Sequence, residues 1–172
     1  MKTTPGLSQA IANRGAAAIK CVIIYEDSEG GKAGARFCER LAAVVGRGSC
    51  CEGWNFRVLG IRSVRNKAAS AAVDADVVVF AMSFATQLPP EVEEWMELWL
   101  WLNEHGRPAV VAVSTRADPG NQRLVSRLQS AARRNNFPFF SHLATASVAD
   151  LQIREREPCR GQRAKLRSCD FV

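Results

Sequence analysis

The sequence predicts a three-layer αβα sandwich built on a five-stranded parallel sheet of order 2-1-3-4-5. Three observations carry that prediction. Short runs rich in Val, Ile and Phe alternate along the chain with segments of helical period. Most of the runs are near-continuously apolar, as strands covered on both faces are. The segments between them are joined by short loops, which implies right-handed crossovers between parallel strands. Residues 76–115 organise the rest: an apolar strand, a Pro-marked loop, a tryptophan-rich helix, a Gly-Pro break and a second apolar strand.

In chain order, residues 1–18 read as a flexible arm, with at most a partly ordered helix over Leu7–Ile11. CVIIY (21–25) is the first strand, and EDSEGGKAG is a Gly-bearing loop. A helix over 32–45 places Phe37, Cys38, Leu41, Val44 and Val45 on one face. WNFRVLGI (54–61) alternates enough to be an edge strand, and an Ala-rich helix occupies 62–75. Residues 76–81 form strand three. The next helix opens near Pro90, a residue suited to a first turn, with Glu91, Glu93 and Glu94 complementing its dipole. Its wheel puts Val92, Trp95, Met96, Trp99 and Leu102 on the core face, Leu98 and Leu100 at its flanks, and Trp101 opposite. Strand four is 109–114, a helix follows over 121–135, strand five is 137–140, and a weak helix lies near 147–156. The single domain thus spans 19–153, and 154–172 is a flexible basic tail.

Composition bounds the function. The chain has 172 residues, 47% hydrophobic and 23% charged, as ordinary soluble domains do. No apolar run approaches the roughly 20 residues that span a bilayer, so no membrane role and a cytoplasmic location are expected. The six cysteines form no CxxC. Cys21 and Cys38 fall on apolar faces as buried thiols, and Cys50 and Cys51 are a vicinal pair in a Gly/Ser loop; a structural role without metal is expected.

Such a fold keeps its chemistry in the loops at the strand ends, here 26–32, 82–90 and 114–120. Glu26 and Asp27 follow strand one directly, an arrangement able to hold Mg²⁺. IIYED, together with the spacing of DVVVFA and RPAVVAVST, resembles a response-regulator receiver domain over roughly residues 20–145. Ser114 then matches the family's switch Ser/Thr. Ala81 stands where the phospho-accepting Asp would be, and FFSHLATAS lacks the family's Lys. The resemblance therefore implies a degenerate receiver of flavodoxin-like fold, with Glu26, Asp27 and Ser114 as a vestigial acidic pocket and no aspartyl-phosphate chemistry. FATQLPPEVEEW is similar to the loop after strand three in flavodoxins and flavin reductases, which makes Phe84 and Thr86 the alternative ligand loop and FMN the alternative cofactor. Against FMN, the first loop carries Glu26, Asp27 and Glu29 with only Lys32 to offset them. Gly31-Lys32 lacks the rest of a nucleotide-binding loop. His105 reads as a helix C-terminal cap, and His142 is a candidate near the strand-end crevice.

The expectation is a non-catalytic regulatory or interaction module without a cofactor. Trp101 is expected to be buried either against a terminal segment, the N-terminal arm or the C-terminal tail, or against a second copy or another protein that meets the 91–104 helix at Leu98 and Trp101. Nucleic acid is a further alternative partner. The tail carries Arg154, Arg156, Arg160, Arg163, Lys165 and Arg167 against Glu155, Glu157 and Asp170, half of the formal charge of +6.

Overall fold

The computed structural model describes residues 6, 7, 11, 18–103, 108–117 and 119–144. Its strands are β1 (Ala18–Tyr25), β2 (Gly48–Asn55), β3 (Val77–Met82), β4 (Ala109–Ser114) and β5 (Phe139–Leu143). They form one sheet in the order β2-β1-β3-β4-β5, with every pairing parallel. The helices are α1 (Ser28–Val45), α2 (Arg62–Val73), α3 (Pro90–Leu102) and α4 (Pro119–Arg134). This is the flavodoxin-like αβα sandwich, in the strand order that the sequence predicts.

The period of two along each strand assigns its side chains to two cores. Val22 and Ile24 of β1, Val78, Phe80 and Met82 of β3, and Val110 and Ala112 of β4 share one cluster with residues of α2, α3 and α4. Ile19, Cys21 and Ile23, Val77, Val79 and Ala81, and Val111 and Val113 share the other with α1. Both faces are covered, which is why these strands read as unbroken apolar runs. The α3 side is dominated by aromatic rings. Trp95 and Trp99 stack at 5.5 Å between centroids, Phe80 meets Trp95 edge-on at 5.9 Å, and Phe137 lies 5.4 Å from Trp99. The Trp99 indole N–H donates to the Ala72 carbonyl at 3.2 Å, which ties α3 to α2.

Several boundaries differ from the sequence reading. The second strand is GSCCEGWN, not WNFRVLGI. Phe56–Gly60 is a 3₁₀ helix, and its spacing of three residues per turn puts Phe56 and Leu59 on one buried side. Asn55 ends β2 by accepting the Arg57 N–H on its side chain at 2.9 Å. Cys50 and Cys51 therefore belong to an edge strand rather than a loop. Helix α1 begins at Ser28, four residues before the expected start, because Asp27 caps it, and so Gly30, Gly31 and Gly34 are helical. Strand β1 starts earlier than expected, at Ala18, and β5 is displaced to Phe139–Leu143. In the expected flexible arm, Leu7 and Ile11 are core residues on the α1 side. On α3, Val92, Trp95 and Trp99 are buried as the wheel requires, whereas Leu102 at the helix end is 36% exposed. No helix is long and apolar enough to cross a membrane among the described residues. His105, the helix near 147–156 and the 154–172 tail lie outside the described residues.

Candidate functional site

Open parallel sheets bind ligands beyond the carboxyl ends of their strands, so the site is built from the residues that follow β1, β3 and β4. Glu26 is the first residue past β1, anchored by its own N–H to the Ala81 carbonyl at 3.1 Å. Its carboxylate oxygen Oε2 accepts the N–H groups of Ser83, Phe84 and Ala85, each at 2.9 Å. Three successive backbone N–H groups converging on one point form an anion-binding nest. Here the chain fills that nest with its own side chain.

Asp27 is committed as well. Its Oδ1 accepts the Gly30 N–H at 2.7 Å as the N-cap of α1 and the Ser83 hydroxyl at 2.9 Å. Ser83 is fully buried, and its carbonyl accepts the side-chain amide of Asn121 at 3.3 Å. Asn121, in the first turn of α4, also donates to the Arg116 carbonyl at 3.1 Å, and the Asn55 amide donates to the Glu26 carbonyl at 3.2 Å. The network thus joins the loops that follow β1, β2, β3 and β4. Ser83 is its hub, a residue that the sequence reading passed over. The available signal was its place directly after VVVFAM, where a polar side chain at a strand end needs a partner.

The acidic pair therefore meets Ser83 and Gly30, and its hydrogen bonds do not run to Ser114. That residue is buried on β4, in register with Met82 and Leu143, and its carbonyl accepts the Ala144 N–H at 2.8 Å. The donors present do not suit a divalent cation. Glu26 Oε2 is surrounded by N–H groups, a positive environment that opposes a cation. Nor do they suit a cofactor phosphate, because Asp27 already occupies the N-terminus of α1. Phe84 is exposed with the Arg116 guanidinium 4.3 Å from its ring centre, and Thr86 is exposed. His142 of β5 is half-buried, with its ring 5.4 Å from that of Phe37 on α1. Burial and the neighbouring Arg40 charge lower its pKa.

No protein-family model and no curated protein matches this chain. Its function has to be read from geometry.

The second candidate region is the end of α3. Trp101 is 72% exposed, while Leu98 is half-buried and packs against the core beneath α3. Charge is sorted around it. Helix α3 carries Glu91, Glu93, Glu94 and Glu97 without a basic residue, and α4 carries Arg123, Arg127, Arg133 and Arg134 without an acidic one. Within the chain, Arg127 pairs with Glu93 at 3.0 Å, and Arg65 of α2 pairs with Glu94.

Proposed function

We propose that this chain is a non-catalytic, receiver-like regulatory module that acts by self-association through the end of α3. The observation carrying this reading is Trp101, a large ring 72% exposed on the helix whose other two tryptophans are buried. An exposed tryptophan is a costly surface residue and a frequent centre of protein interfaces. A second copy is the occupant that the charges favour, since an acidic α3 and an arginine-bearing α4 are complementary across a two-fold axis. The non-catalytic half is supported at the strand ends, where Glu26 and Asp27 are engaged in holding loops together.

Sedimentation velocity of the full chain over a range of concentrations tests this. A dimer is expected for the wild type, and a monomer with an unchanged circular dichroism spectrum for Trp101→Lys. A wild type that stays monomeric throughout, or a Trp101→Lys variant that still dimerises, overturns the reading. A flavin spectrum retained through gel filtration after FMN addition replaces it with the oxidoreductase alternative.

A further inference from the structure

Away from the strand ends, three cysteines from three different elements converge. Cys21 lies on β1, and Cys51 lies beside it in register on β2. Cys38 comes down from α1 above them, and the three sulfurs all lie within 4.8 Å of one another. Cys21 and Cys38 are buried in the α1-side core, and Cys51 packs against the same cluster while remaining partly open to solvent. Cys50, next to Cys51, is exposed. Successive side chains of a strand point to opposite faces, so Cys50 is directed away from the cluster.

We propose that Cys21, Cys38 and Cys51 form a binding site for a thiophilic divalent cation of the zinc class, with water from the Cys51 side as the fourth ligand. Zinc–sulfur bonds of about 2.3 Å in a tetrahedral shell place the sulfurs about 3.8 Å apart, a spacing within the reach of this cluster. Thiolates select soft and borderline metals over calcium or magnesium. Among the described residues, no histidine nitrogen or carboxylate oxygen joins the three sulfurs. The fourth position then falls to solvent, which reaches the edge strand at Cys51. The charge count favours a divalent over a monovalent ion. Three thiolates with Zn²⁺ leave one negative charge in an apolar core, whereas three with Cu⁺ leave two.

The ligand form of cysteine is the thiolate. Zn²⁺ entering from the Cys51 side therefore displaces thiol protons to solvent, and affinity increases with pH.

The test uses the full chain, reduced and metal-free, with Cys50→Ser, Cys159→Ser and Cys169→Ser so that only the cluster thiols remain. Co²⁺ titration is expected to give one equivalent of an intense sulfur-to-cobalt charge-transfer band with tetrahedral ligand-field absorption, bleached by Zn²⁺. Adding Cys51→Ser should abolish the band while circular dichroism stays unchanged, and Cys38→Ala is the second variant if that one unfolds. The zinc complex should melt at a higher temperature than the apo chain. Absence of the band in the three-cysteine chain overturns the proposal, as does a band that survives loss of Cys51. Tight 1:1 binding of Cu⁺ without Zn²⁺ overturns the four-coordinate assignment.

Discussion

Glu26 illustrates how one residue can carry a plausible functional signature and be occupied otherwise. An acidic pair after the first strand reads as a cation site, yet its carboxylate faces three N–H donors and closes the loop after β3. Hydrogen bonds to a charged group contribute more than neutral ones, so Glu26→Ala should lower stability by about 2 kcal/mol in urea unfolding. It should also open the nest: sulfate is expected to raise the melting temperature of the variant more than that of the wild type. Equal sulfate responses would show that the nest collapses without its carboxylate. His142 gives a pH-dependent prediction. Burial and Arg40 lower its pKa in the fold below the ordinary 6.5, so the unfolded chain binds the proton more readily. Its contribution is fully present above pH 6.5 and is lost as pH falls from 6.5 through the lower folded value. Urea midpoints measured across that window should fall with acidity, and His142→Asn should flatten the slope.

At the scale of elements, α1 and β2 show where local patterns mislead. Gly30, Gly31 and Gly34 suggest a loop, since glycine weakens a helix by roughly 1 kcal/mol relative to alanine. They serve instead as the contact surface of α1 with the sheet. A β-carbon on Gly34 would lie 2.7 Å from Ile23 Cγ2 and 3.3 Å from Ala81 Cβ, and one on Gly30 would lie 2.9 Å from the Ala81 carbonyl oxygen. Gly34→Ala should therefore destabilise the chain despite its better helix propensity, because overpacking costs about 1–3 kcal/mol. A midpoint equal to or above the wild type in denaturant unfolding would mean that α1 can shift outward without cost. Strand β2 was illegible for the opposite reason. GSCCEGWN has no β-branched residue and none that is fully buried, so what makes it a strand is its ladder to β1. The neighbouring Phe56 and Leu59 supply a stronger apolar signal but belong to a 3₁₀ turn.

For the whole molecule, charge is distributed unevenly although the formal net charge is +6. Two copies repel through that excess but attract where α3 of one meets α4 of the other. The proposed dimer should thus combine an apolar Trp101 contact, insensitive to salt, with ion pairs that salt weakens. Sedimentation at rising ionic strength is expected to loosen the dimer without abolishing it. Complete dissociation by moderate salt would make the charges, not Trp101, the basis of association. The cysteine cluster lies on the α1 side of the sheet and α3 on the other, so loss of metal binding and loss of dimerisation are separable outcomes.

The sequence by itself determined the layer architecture, the strand order and the buried face of α3. These depend on hydrophobic period and on short right-handed connections, both written locally along the chain. It also brought attention to the loops at the strand ends. Only the tertiary structure decided what their polar groups do, because the partners of Glu26 and Asp27 lie 56–59 residues away as well as next to them. The cysteines follow the same rule. Cys21, Cys38 and Cys51 have no recognisable motif spacing in the chain, and they meet because parallel register pairs two strands and a close-packed helix lowers the third sulfur onto them.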